Sequence, residues 1–285
     1  MASRASLIRG VASVFLTFAT LFLLVRFGLE LPTVYHYVKT LTTSYWTLAA
    51  TVIYALAFYL RALAWRNADE KTGSTAVYLT SLYLGLAINH LSPVKLGEAI
   101  RLLTARAIGS PMKRTTAIFV AQRGIDLSVL GLFVATGLLL GQTVWVAGIA
   151  CILGLLALLL VRRFIKTIYP LIGYGALAWM CEAAAVFCLF QGADVTVAFP
   201  IVLIAMSAGV LSGIAQFTPG GLGTYELAMG TVLQLADVPH PYELALMTHV
   251  FKYAFAFLAP LYVGVRHFKI VKQLFNQFKE HDQKG

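Results

Sequence analysis

The sequence predicts an all-α polytopic membrane protein, with six crossing helices plus two re-entrant broken-helix hairpins in two inverted-topology repeats. Three observations predict it. The 285 residues are 59% hydrophobic and only 12% charged, with a mean hydropathy of +0.80. Soluble domains carry about twice that charge fraction. So little polar surface cannot cover a water-soluble globule, and lipid must be the solvent for much of the chain. Six apolar runs reach the roughly 20 residues that a bilayer crossing needs. Two further apolar regions are interrupted in nearly the same words, "HLSPVKLGEAIR" from His90 and "QFTPGGLGTYELA" from Gln216.

Taken in order, the runs are 7–28, 45–64, 116–139, 143–161, 171–190 and 243–265. The first follows Arg4 and Arg9 as a signal peptide would. It is long and lacks a clear small-residue cleavage site, so a retained span is expected. The interrupted regions are 75–108 and 199–236. In the earlier one the apolar stretch 77–88 is short for a crossing, and its continuation LGEAIRLLTARAIG is too charged to face lipid. Each interrupted region therefore reads as two half-helices that enter the bilayer and return. The whole chain, 1–285, reads as one membrane domain. Repeat one is about 1–140, repeat two about 141–270, and 271–285 is a basic tail.

Net charge is +10, and the basic residues bracket the apolar runs. That is the signal of membrane topology and not of nucleic-acid binding, which needs a polar basic module. Arg4 and Arg9, then Arg61, Arg66 and Lys71, then Arg106, Lys113 and Arg114 all fall on one side if the first interrupted region returns. Arg162, Arg163 and Lys166 join them, as does the tail with Arg266, Lys269, Lys272 and Lys279. Both termini are then cytoplasmic, in the cell membrane, with Lys39 the mild exception.

The two breaks share Ser/Thr-Pro-x-x-Leu-Gly. Ser92 to Gly97 matches Thr218 to Gly223, an offset of 126 that also carries 45–64 onto 171–190. The same offset places Arg123 on His249 and Asp126 on Lys252. Three crossings per half put the copies in opposite orientation, the plan in which broken helices of a transporter meet near the midplane.

A broken helix in lipid leaves backbone groups that only protein or a wet cavity can satisfy. Pro93 and Pro219 stop the incoming helices, and Gly97, Gly220, Gly221 and Gly223 permit the reversals. Each returning half-helix then offers free N–H groups and a positive dipole end to an anion such as a lipid phosphate. Ionisable residues accompany them. Glu98, Arg101 and Arg106 lie on the first returning helix and Glu226 on the second. Arg123 and Asp126 lie in one span, His249 and Lys252 in its repeat mate. A lone charge at mid-bilayer costs at least about 2.5 kcal/mol, so this many must face one another or water. A purely structural ion-pair network is the competing reading.

Other residues are read more plainly. Glu182 is either a network member or a proton-carrying site. Gln122, Gln216 and Asn89 either hold a headgroup or satisfy exposed backbone. His90 reads as a local hydrogen-bonding residue, and Arg26 and Arg61 as snorkelling residues near span ends. Tyr35, Tyr37, Tyr45 and Trp46 read as an interfacial belt. Cys151, Cys181 and Cys188 lie in apolar runs and read as packing residues. There is no Walker loop, dinucleotide fingerprint, zinc spacing or serine nucleophile elbow, so no nucleotide, metal or other cofactor is expected.

"SPVKLGEAIR", "QRGID" and "TPGGLGTYE" resemble the lysylphosphatidylglycerol synthase/flippase transmembrane family, over essentially the whole chain. The family's P-x-x-L-G-E-x-x-R is carried by Pro93, Leu96, Gly97, Glu98 and Arg101, and its P-G-G-L/V-G-x-x-E by Pro219, Gly220, Gly221, Leu222, Gly223 and Glu226. Arg123 and Asp126 match its E-R-x-x-D, but Gln122 stands where the family has Glu. The resemblance implies movement of lipid between leaflets, with cargo varying by member. With no aminoacyltransferase domain following, synthesis of an aminoacyl lipid is not implied. The resulting expectation is a flippase, not an enzyme, for an anionic phosphate-bearing lipid, either a modified phospholipid or a polyprenyl-phosphate-linked sugar. Arg101, Arg123, Lys252, Lys95 and Gln216 would hold the lipid phosphate, and Glu98, Asp126, Glu226 and His249 would support them. Membrane lipids are the expected partners, and a second copy or a lipid-modifying enzyme stays open. A secondary transporter of a small solute or ion, or an intramembrane lipid-headgroup enzyme, is the alternative.

Overall fold

In a computed structural model, residues 22, 26, 29–70, 72–91, 96–138, 168–213 and 218–266 are described, with the backbone alone at 136–138, 219 and 264–266. Among them there is no strand. The helices are α1 (Leu31–Thr43), α2 (Tyr45–Ala68), α3 (Thr75–Leu91), α4 (Leu96–Ala107) and α5 (Met112–Leu138), then α6 (Tyr169–Gly192), α7 (Phe199–Gly213), α8 (Thr224–Leu235) and α9 (Pro241–Arg266). A 3₁₀ turn, Pro219–Gly221, precedes α8. The expected spans at 7–28 (apart from Phe22 and Arg26) and 143–161, the tail at 271–285, and Cys151 lie outside the described residues.

Four helices are long and apolar enough to cross a membrane: Tyr45–Ala68, Met112–Ala135, Tyr169–Gly192 and Pro241–Val263. The chain is a multi-pass membrane protein. Both interrupted regions are broken where the sequence places the breaks. α3 and α7 have 17 and 15 residues, and α4 and α8 have 12 each. At 1.5 Å per residue these are about 26, 22, 18 and 18 Å long, so none crosses a hydrocarbon core of about 30 Å alone. α3 packs along α4, and α7 along α8.

The centre of the molecule is the pairing of α2 with α6. Ala50, Ala57 and Ala62 on α2 and Ala178, Ala183 and Ala185 on α6 are fully buried. Small side chains let helix backbones approach closely where lipid gives no hydrophobic drive. Around this axis, α9 packs against α3 and α8, and α5 against α4, α6 and α7. Tyr54 and Phe58 of α2 meet Tyr83 of α3 and Phe255 of α9 with ring centroids 4.8 to 5.8 Å apart. Large apolar side chains such as Leu48, Val52, Leu258 and Leu261 remain exposed, as lipid contact requires.

Helix ends follow local chemistry. The Ser44 hydroxyl accepts a 3.3 Å bond from the Trp46 N–H and starts α2. α2 and α6 each end two residues before a left-handed residue, Glu70 (φ 54°) and Asp194 (φ 57°). α4 and α8 do the same at Gly109 (φ 78°) and Asp237 (φ 53°). The α2–α3 elbow carries a buried polar cluster. The Tyr78 hydroxyl donates to Asp69 Oδ2 at 2.7 Å, the Ser110 hydroxyl donates to Asp69 Oδ1, and Asp69 is fully buried. This ties both outer ends of the first hairpin to α2.

Candidate functional site

α4 places Glu98 and Arg101 three residues apart, hence on one face. α5 does the same with Arg123 and Asp126. These faces meet over a cavity of about 280 Å³ lined by α2 to α9 and by Gly220 of the second break. Its cations are Arg61, Arg101, Arg123 and Lys252, and its carboxylates are Glu98, Asp126 and Glu182. Cations thus outnumber carboxylates on the wall.

Every one of these charges has company. Arg123 Nη2 binds Glu98 Oε1, and its Nη1 lies 3.6 Å from Asp126 Oδ2. The Trp179 indole N–H donates to Asp126 Oδ1 at 2.8 Å. Arg61 Nη1 lies 2.5 Å from Glu182 Oε1, and Lys252 Nζ lies 3.8 Å from Glu182 Oε2. Arg101 donates to Gln122 Oε1 and is stacked between Trp65 and Phe119, 4.7 and 5.4 Å from their ring centres. Among the described residues Arg101 has no ion pair, and its Nε, Arg61 Nη2 and Glu98 Oε2 have no hydrogen-bond partner. Unmatched buried donors of a guanidinium are costly, and an anion in the cavity would satisfy them.

Most of the expected site is therefore gathered in one place, with three corrections. Arg61 does not snorkel. It sits on the buried side of α2 between Ala57 and Ala64, over Trp179 at 4.4 Å, and forms the inter-helix pair with Glu182. Glu182 is a member of that network. The half-helix ends are not fully open either, since a side chain takes one N–H at each: Glu226 Oε2 accepts the Gly223 N–H at 2.6 Å, and Asn89 Oδ1 accepts the Gly97 N–H at 2.8 Å. A third correction concerns Gly97, which is not a reversal residue. A Cβ there would lie 2.0 Å from the Gly85 carbonyl oxygen, so its role is the close crossing of α3 and α4. Gly220, Gly221 and Gly223 do carry the reversal, with φ of 62°, 80° and 90°.

Glu226 is fully buried and does not line the cavity; its Oε1 meets His249 Nδ1 at 2.6 Å. His90 Nδ1 meets the Leu86 carbonyl at 2.9 Å, the local role expected of it. Pro93, Lys95 and Gln216 lie outside the described residues. Missed by sequence were Arg61, Trp179 and Tyr225. The signal for Arg61 was present: it lies four residues after Ala57 and three before Ala64, on the small-residue stripe that α6 covers.

Among the described residues every element is helical, four helices are long and apolar enough to cross a membrane, and the helices surround a cavity with more cations than carboxylates. The family model for the lysylphosphatidylglycerol synthase TM region matches residues 9–170 and 163–260, and the chain belongs to that family. No match was found among curated proteins.

Proposed function

We propose that the protein is a flippase that carries an anionic, phosphate-bearing lipid between leaflets of the cell membrane, and that it is a transporter and not an enzyme. The observation that carries this reading is the cavity wall, with four cations against three carboxylates and buried guanidinium nitrogens left without partners. The headgroup phosphate binds Arg101, Arg123, Arg61 and Lys252 while the acyl chains stay in lipid. This avoids dragging a charge through hydrocarbon. A modified phospholipid and a polyprenyl-phosphate-linked sugar both offer that chemistry.

The proposed architecture is two inverted repeats with six crossings, both termini cytoplasmic, and hairpins dipping in from opposite faces. Paired helix lengths support it: 24 and 24 for α2 and α6, 12 and 12 for α4 and α8, 27 and 26 for α5 and α9. The paired left-handed residues after α2 and α6, and after α4 and α8, support it too. Counted within their helices, Glu98 and Glu226 are both third and Arg123 and Lys252 both twelfth. That register sets Lys252, not His249, opposite Arg123. Rocking of one repeat against the other moves access between the two sides.

Reconstitution into liposomes tests the function. Labelled phosphatidylglycerol should change leaflet at a rate that Arg123→Ala lowers at least about tenfold. Flux of small solutes without lipid movement would replace this reading with a solute transporter. Cysteine labelling from each side tests the architecture, and reactivity of both breaks from one common face would overturn it.

A further inference from the structure

Among the described residues the Glu226–His249 pair joins no ion-pair network of the cavity, yet its imidazole lines the cavity wall. Glu226 is 0% exposed and His249 3%. Glu226 lies in the first turn of α8, and its Oε2 accepts the Gly223 N–H. His249 Nδ1, at 2.6 Å, is then the donor to that carboxylate. That leaves Nε2 as the ring nitrogen not engaged by Glu226. His90 is held likewise: a carbonyl has no proton to give, so Nδ1 donates to Leu86.

The surroundings of His249 suit a proton that comes and goes. The rings of Tyr225 and Tyr253 lie 4.6 and 4.9 Å from it, and His90 of α3 lies 6.4 Å away. The opposing charge is Lys252, one turn along α9, which stands 4.7 Å over Tyr225 and 3.8 Å from Glu182 of α6. Arg61 of α2 acts at one remove through Glu182, and Arg101, Arg123, Glu98 and Asp126 share the cavity. Near the start of α9, the Glu30 N–H donates to Glu243 and the Tyr37 ring lies 6.3 Å from His240, both more than a turn before His249.

Resting on the anionic-lipid reading above, we propose that His249, held by Glu226, is a proton-binding site that takes up one proton at Nε2 when a phosphate occupies the cavity. The phosphate offsets the repulsion from Lys252 and the arginines. Proton and phosphate therefore bind more tightly together than apart, and the coupling is reciprocal. A proton that enters with the lipid and leaves with it lets a pH difference across the membrane drive translocation.

The test uses the full chain in detergent with phosphatidylglycerol, whose diester phosphate stays ionised across the range where histidine titrates. Because binding brings a proton in, affinity must rise as pH falls. With one coupled proton, the slope can reach at most about tenfold per pH unit. About one proton per bound lipid should disappear from weakly buffered solution. His249→Gln should flatten the slope and abolish the uptake, with His249→Asn as a second variant should the first not fold. His90→Gln should leave the slope in place. Wild-type binding that is flat in pH, or a slope that survives in His249→Gln, overturns the proton site while the flippase reading stands. Dimethyl phosphate giving the same uptake where phosphatidylglycerol gives none supports the proton site and overturns the lipid reading. Neither ligand binding at any pH brings down both.

Discussion

The two hairpins have the same plan and different chemistry. In the first, Gly85 and Gly97 bring α3 and α4 into backbone contact. At the same places in the second, Gly209 meets the ring of Tyr225, where a Cβ would come within 2.8 Å of it. The third residue of each returning helix is glutamate. Glu98 reaches out to Arg123 at the cavity, while Glu226 turns back onto its own helix start and His249. The elbows differ as well. Asp69, Tyr78 and Ser110 form a buried polar cluster in the first half, and Ala193, Val202 and Val238 take the matching places in the second. The lesson is a division of labour. One hairpin places its carboxylate against a cation of the cavity wall, and the other places it on its own helix start and on an imidazole.

That contrast can be broken at four points, from the largest effect down. Glu226→Ala strands a buried imidazole and a helix-start N–H, and should cost about 3–5 kcal/mol of stability in detergent unfolding. Glu98→Ala, at the matching position, should instead act mainly on lipid movement. Equal losses of stability would erase the distinction. Gly97→Ala drives a methyl into a backbone oxygen and should cost about 3 kcal/mol, whereas Gly209→Ala meets a ring that can shift and should cost about 1. Thermal unfolding of the two variants side by side decides this. Asp69→Ala leaves two buried hydroxyls without their acceptor and should cost about 2 kcal/mol. Adding Tyr78→Phe and Ser110→Val, which copies the apolar elbow, should recover most of it. Arg123→Gln should change stability by about 1 kcal/mol or less, since its side chain is 36% exposed. It should still weaken phosphatidylglycerol binding about tenfold, as read by titration of the lipid into the purified protein.

Much of this was legible in the sequence because lipid is a strict solvent. An apolar run of about 20 residues has few fates, and a proline and glycines inside one must break it. The interruptions at 75–108 and 199–236, the spans at 45–64, 116–139, 171–190 and 243–265, and the gathering of Glu98, Arg101, Arg123, Asp126 and Lys252 followed from that constraint. Arg61 was misread because distance from a span end says nothing of which face a residue occupies. At the helix starts the side chains of Asn89 and Glu226 each return to one N–H, and only folded geometry shows which partner a free N–H finds.

The sequence by itself determined that the chain is a membrane protein, where its helices break and which family it belongs to, since these depend on composition and short-range pattern. Tertiary structure alone decided the pairings: Arg61 with Glu182 across the small-residue seam, Arg101 between two aromatic rings, Glu226 with His249 and away from the cavity. The physical reason is that a buried charge takes whichever partner packing brings within reach. With no water to compete, that choice is made by how helices cross and not by their spacing along the chain.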